Sequence, residues 1–385
     1  MRRVSSVDHR IEKTVEKLPK AKNVNAVWAE LDRRMADGDV SFLGDLGVEL
    51  LRRSVPGSAR VWQYESVLDR AIRLLALAPG GSGVEQLLRL VAGEDRSARK
   101  RARYVASLIA SAQDADALRP LFRGARSGAG ASNELRACTV HELVVRGIGL
   151  TDLPEALNWA SGPGIGRHPL AWLPLRRSEP ESGADLPSYS VQGSTSSLPF
   201  GPINEVVRPL PLRSGQFAAL ASEAADLSSV PAAVANWADE SNGRIEARAF
   251  DLEHPLDEPD IPQALLGLGL DCLAGHSRRT DFSVARSAAG AAWSVLFAAA
   301  SSGGAYNHGL YGAYGRLAAW RSLGGLAGAG VDTTASEVEE RAATCGWYRF
   351  GAATPWYHNV AWDIGLATLD QERTRVTVLA ATDTD

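Results

Sequence analysis

Two short polar-aromatic clusters in the last 80 residues hold the side chains best suited to chemistry: Tyr306-Asn307-His308 and Trp356-Tyr357-His358-Asn359. An imidazole can serve as a general base, and a carboxylate bound to its far nitrogen fixes the tautomer and raises basicity. His308 and His358 are the candidate bases, with Asp363 as the carboxylate for His358. Tyr306, Asn307, Tyr311, Trp356, Tyr357 and Asn359 are the candidate ligand-binding residues, each pairing an apolar body or short stem with a hydrogen-bonding end. The bland alternative is that these residues knit loops to a sheet. A metal reading of His308, His358 and Asp363 has no HxH, HxD or HExxH spacing behind it, so no metal and no cofactor are expected. No GxSxG, GxGxxG or P-loop motif is present.

Around the first cluster, Gly309, Gly312, Gly315 and Ala318 recur every three residues and give one helix a stripe of small residues. Such a stripe suits close packing against the preceding Ala-rich helix, expected over 283–301, and the helix carrying the stripe is expected over 306–326. The second cluster precedes two apolar runs, 362–369 and 375–381, separated by the polar stretch 370–374, which predicts a β-hairpin. Residues 244–252 alternate Ile245, Ala247, Ala249 with Arg244, Glu246, Arg248 and predict a strand. Further helices are expected over 214–226, 230–240, 262–275 and 335–343.

The front of the chain is helical throughout. Apolar residues fall at helical spacing in Val24-Val27-Trp28-Leu31 and Val67-Leu68-Ile72-Leu75, and Gly- and Pro-containing stops follow at Asp37-Gly38, Pro56-Gly57 and Pro79-Gly80-Gly81. Helices begin roughly every 17–20 residues, as in an α-solenoid. The overall expectation is a mostly α protein with a smaller α+β part: an N-terminal irregular α-solenoid or helical bundle, and C-terminal helices packed on a small antiparallel sheet. The expected division is a helical-repeat-like domain over 1–165, a Pro/Gly/Ser-rich connector over 166–213 and an α+β domain over 214–385.

Charge divides the chain as well. Residues 1–126 hold 23 Lys and Arg against 16 Asp and Glu, and the remainder 18 against 29. The run Arg96, Arg99, Lys100, Arg101 and Arg103 could bind a nucleic-acid backbone, although on a helix it spreads around the circumference and reads first as a solvated surface. The chain has 36 Arg against five Lys, a compositional bias that by itself says little about nucleic acid. Three scattered cysteines without CxxC spacing suit a reducing compartment. The N-terminal residues lack the apolar run of a secretory signal. The most apolar segment, 288–300, is 13 residues long, against the roughly 20 a bilayer requires, so no membrane association and a cytoplasmic location are expected.

The stretches AYNHGLYGAYGRLAAWRSLGGLAG, PWYHNVAWDIGLATL and VTVLAATDTD resemble the C-terminal signature of an actinobacterial family of uncharacterised proteins. The resemblance covers chiefly residues 288–385 and implies a cytosolic bacterial protein without assigning an activity. Together these features favour a non-enzymatic protein that recognises a macromolecule, with a protein partner and an immunity- or antitoxin-like role as one version. The alternatives are an enzyme using His308 or His358, and nucleic-acid binding by the basic front.

Overall fold

Helix punctuation read from the sequence translates directly into stacked helices. The computed structural model describes residues 6–54, 60–123, 130–197, 199–200, 210–212, 221–223, 227–275, 282–358 and 361–384. The chain divides into two compact units, one of residues 1–171 with 188–195, the other of 172–187 with 196–385. The residues expected to form a connector are thereby shared between both.

Among the described residues of the first unit the α-helices are, in order, α1 (Ser6–Lys17), α2 (Asn25–Ala36), α3 (Val40–Arg53), α4 (Trp62–Leu77), α5 (Gly81–Leu90), α6 (Arg96–Ala112), α7 (Ala115–Phe122), α8 (Asn133–Val145) and α9 (Pro154–Ala160). Asp39, Asp95, Asp114 and Ser132 each accept a backbone N–H of the following first turn, at 2.8–3.3 Å, which starts α3, α6, α7 and α8. Odd-numbered helices pack in one row, α1 on α3, α3 on α5, α5 on α7 and α7 on α9. Even-numbered helices form a second row, α2 on α4, α4 on α6 and α6 on α8. Contacts that reach only near neighbours along the chain are the signature of a solenoid. Between the rows lie Leu43, Leu46 and Leu50 of α3 and Val67, Ala71 and Leu75 of α4, all fully buried. A short hairpin, β1 (Ser188–Tyr189) with β2 (Ser194–Thr195), completes this unit.

The second unit is built on a six-stranded antiparallel sheet. Its strands are β3 (Ala221–Glu223), β4 (Arg244–Leu252), β5 (Phe282–Ser287), β6 (Gly346–Ala352), β7 (Asp363–Leu369) and β8 (Arg375–Thr382), in the order β3-β4-β8-β7-β6-β5. Its helices are α10 (Ala235–Glu240), α11 (Ile261–Gly267), α12 (Ala289–Ser302), α13 (Tyr311–Leu326) and α14 (Ala335–Thr344). The predicted hairpin is β7–β8, with Asp370 accepting the amides of Thr374 and Arg375 to close its turn. On one face of the sheet lie α12 and α13, where Thr368 donates to the Leu326 carbonyl. On the other, α11 and its flanking turns join Phe250, Tyr348, Phe350, Val376 and Val378 in a single cluster.

Three helix expectations are corrected. Residues 221–223 form strand β3 where a helix over 214–226 was expected, and the rest of that stretch lies outside the described residues. Residues 282–287 form strand β5 ahead of α12, because Phe282, Val284 and Ala285 are drawn into the sheet core. The striped helix begins at Tyr311, not at 306. The stripe itself meets α12: a Cβ on Gly309 would stand 2.0 Å from the Ser301 carbonyl oxygen, and one on Gly315 would stand 2.9 Å from its Cα. Close backbone approach, not ligand access, accounts for both glycines.

A fully buried ion pair fixes residues 172–187 to this layer. Arg316 of α13 binds Glu181 at 2.5 and 3.0 Å, and both side chains are 0% exposed. The Trp320 indole donates to Glu181 at 2.6 Å and the Ser178 amide at 2.8 Å, while Arg316 donates to the Pro174 and Arg176 carbonyls.

Candidate functional site

Both C-terminal clusters are anchored on the end of β8, but from opposite faces of the sheet. The loop 303–310 between α12 and α13 carries the first. Asp383, wholly buried just beyond β8, accepts the Ala305 amide at 2.7 Å, the Ser241 hydroxyl at 3.0 Å and the Thr384 amide at 3.0 Å. Asn307 accepts the Gly304 amide at 2.6 Å and donates to the Asn236 carbonyl at 2.5 Å. The amide side chain of Asn307 thus holds the loop together. Tyr306 is 64% exposed and His308 is exposed beside it. Tyr311 is half-buried and opens α13 with φ of 60°, a left-handed conformation that an L residue keeps only under constraint from its surroundings.

The second cluster is organised by Thr382. Its hydroxyl accepts the His358 amide at 3.3 Å and donates to Asp363 at 2.6 Å. The His358 backbone, rather than its ring, is what joins this chain of bonds to Asp363. Tyr357 is buried, donates to the Ile364 carbonyl at 3.3 Å and sits beside the Cys272 thiol. Burial first, then the neighbouring Cys272, pushes its phenol well above the ordinary value. Trp356 is half-buried and meets the Tyr357 ring edge-on at 4.8 Å. Asn359 lies outside the described residues.

Successive side chains of a strand leave on opposite faces. Thr382 shares its face with Ala380, Val378 and Val376, on the α11 side, whereas Asp383 turns to the α12–α13 side. Among the described residues, no hydrogen bond joins the side chains of Tyr306, Asn307 and His308 to those of Trp356, Tyr357 and His358. Among those residues, too, no group of three His, Cys, Asp or Glu could hold a metal ion.

The cysteines are chemically quiet. Burial, reinforced by the Glu246 carboxylate, pushes Cys272 far up, and burial does the same for Cys138. Burial with help from Asp370 raises Cys345 from 9.0 to about 11, a roughly 100-fold smaller thiolate fraction at neutral pH. Iodoacetamide at pH 8 is therefore expected to leave all three unmodified in the folded chain over minutes and to alkylate all three in urea. Rapid native labelling at Cys272 would contradict the closed core.

The basic run of α6 splits by burial. Arg101 turns inward to the Leu90 carbonyl at 2.7 Å, and Arg103 binds Glu134, which also meets His168 at 3.0 Å. Arg96, Arg99 and Lys100 face solvent.

The arrangement on the even helix row has no counterpart among the sequence motifs. Arg70 of α4 grips Asp32 of α2 through both carboxylate oxygens at 2.7–3.1 Å and donates to the Val191 carbonyl at 3.2 Å. One turn on, Arg73 binds Asp69 at 2.9 Å and donates to the carbonyls of Ser190 and Gly193 at 2.9 and 2.8 Å. Tyr104 of α6 donates to the other oxygen of Asp69 at 2.6 Å, and its ring lies under the Arg73 guanidinium at 5.5 Å. Arg146, just past α8, stands 5.9 Å from the Tyr189 ring. A cavity of about 610 Å³, lined by Asp32, Met35, Leu74 and the hairpin residues Val191 and Gln192 among others, opens beside these contacts. Arg70 and Arg73 stand three residues apart on α4, and no sequence motif marks them. Their shared target, a distant hairpin, has no signature of its own.

Stacked helices in one unit and a sheet covered on both faces in the other define a two-unit protein of mixed architecture. Residues 25–385 match a family of unknown function, DUF6183, and the chain belongs to that family. No curated protein and no solved structure matches it.

Proposed function

We propose that this protein recognises a protein partner through the even-numbered helix row of its first unit. The observation behind this reading is that Arg70 and Arg73 of α4, oriented by Asp32 of α2 and by Asp69 with Tyr104 of α6, already bind the main-chain carbonyls of a polypeptide turn, while Arg146 after α8 stands beside the Tyr189 ring. Solenoid rows of this kind offer long, regular surfaces to other chains. An immunity- or antitoxin-like role in an actinobacterial cytoplasm is one form this would take. The three free cysteines suit a reducing compartment, and no described helix is long and apolar enough to cross a membrane.

An enzyme using His308 or His358 as general base draws less support. Asn307, Tyr357 and Asp363, its expected companions, are each engaged in bonds that hold loop or sheet in place. Nucleic-acid binding rests on Arg96, Arg99 and Lys100, since Arg101 and Arg103 turn to internal partners. The deciding experiment is affinity capture of the full chain from its native cells, followed by chemical cross-linking. A near-stoichiometric protein cross-linked to α2, α4 or α6 is the expected result. Recovery of the chain alone, or cross-links confined to the second unit, would reject this reading.

A further inference from the structure

We infer that the β1–β2 hairpin is an internal ligand: it occupies a carbonyl-reading site on α4, and a partner's polypeptide turn of the same chemistry takes its place there. The inference rests on the recognition reading above and specifies both the ligand and its control.

The site is built independently of the hairpin. Arg70 is oriented by Asp32, and Arg73 by Asp69, whose second oxygen is held by Tyr104. All of these groups are on helices of the solenoid, so the guanidinium N–H groups stay aimed whether or not a ligand is present. Preorganisation of this kind lowers the ordering cost of binding. What the arginines read is main chain: the carbonyls of Ser190, Val191 and Gly193, three of the four residues of the turn.

The hairpin, by contrast, is weakly built. It has two paired residues per strand, with its turn closed by the Ser190 amide on the Gly193 carbonyl and by the Ser190 hydroxyl accepting the Gln192 and Gly193 amides. Ser188, Ser190, Gln192, Ser194 and Thr195 are exposed. A lone two-stranded hairpin is marginal in water, so the arginines supply much of what keeps it seated. Its eight residues belong to the helical unit, while the chain on either side belongs to the second unit. The segment is thus a tethered insertion rather than part of the helical stack.

The ligand class follows from the charge balance. Asp32 and Asp69 already neutralise the two guanidinium groups, so an acidic peptide gains no net attraction and faces two carboxylates. A neutral turn with small hydroxyl residues and a glycine, as in Ser190-Val191-Gln192-Gly193, offers carbonyls without repulsion. The adjoining cavity at Met35 and Leu74 gives an incoming chain room beyond the turn.

A tethered ligand competes at an effective concentration in the millimolar range. Removing it should therefore raise the affinity for a free peptide by about tenfold or more. The test uses the full chain with residues 188–195 replaced by eight Gly and Ser residues, and a fluorescein-labelled peptide spanning 186–197, followed by anisotropy. Binding to the replaced chain, at least about tenfold weaker binding to the wild type, and loss on adding Arg70→Gln and Arg73→Gln would support the inference. No binding to the replaced chain, or equal binding to both, would overturn it. Should the replaced chain fail to fold, Arg73→Gln in the intact sequence provides the second readout. Amide exchange at 189–194 should then rise about tenfold while α4 stays protected, and unchanged exchange would overturn the inference. A chain that captures a partner in cells yet fails these tests keeps the recognition reading and loses only this one.

Discussion

Replacing Arg316 with methionine should lower the stability of the second unit by about 3–5 kcal/mol, because the Glu181 carboxylate is left in the interior without its cation. The change removes one partner of a pair that has no access to water, and the remaining donors, the Trp320 indole and Ser178 amide, cannot neutralise the charge. Thermal unfolding followed by tryptophan fluorescence should show a fall in Tm on the order of 10 °C. Adding Glu181→Gln to the same chain removes the stranded charge and keeps an acceptor for Trp320, so roughly half the loss should return. A single variant as stable as wild type would mean that residues 172–187 are not held by this pair.

Trp237→Ala should cost a similar amount, about 3–5 kcal/mol, through lost burial and the cavity left behind. Trp237 is fully buried, donates to the Ala299 carbonyl at 3.3 Å and meets Phe200 edge-on at 5.6 Å. It also underlies the first polar-aromatic cluster: a Cβ on Gly304 would stand 3.3 Å from its ring. Amide exchange at 304–308 should accordingly quicken along with the fall in stability. Trp237→Phe keeps a six-membered ring and loses the indole N–H with part of the buried ring, so roughly 1–2 kcal/mol is expected. Loss of stability without faster exchange in the loop would separate the tryptophan from the cluster it supports.

The helical front was legible because each helix carries its own punctuation and needs only one apolar stripe. The β7–β8 hairpin was legible from the polar turn at 370–374, whose Asp370 closes it. Strand β6 was hidden for a physical reason: with helices on both faces of the sheet, Trp347, Tyr348 and Phe350 are all buried, and alternation disappears. The helix start at 311 was misplaced because Asn307 has no intrinsic reason to end a helix. Its side chain fixes the loop by bonding the Gly304 amide and the Asn236 carbonyl, the latter 71 residues away. The abundance of C-terminal aromatics reflected the core as much as any surface, since Trp237, Trp293 and Trp320 are fully buried. The carbonyl-reading arginines were illegible because Arg70 and Arg73 meet residues more than 100 positions away.

The placement of β8 between β4 and β7 bears on how the molecule is made on the ribosome. Solenoid helices can dock as they emerge, since each needs only a partner synthesised shortly before. Strand β4 must wait: Asp251 finds Arg375 at a sequence separation of 124. Until β8 is translated, that inner edge has no companion and offers its unpaired amides to any passing strand. Nascent chains stalled between β7 and β8 should therefore be the form most dependent on chaperones, with the helical front already folded ahead of them.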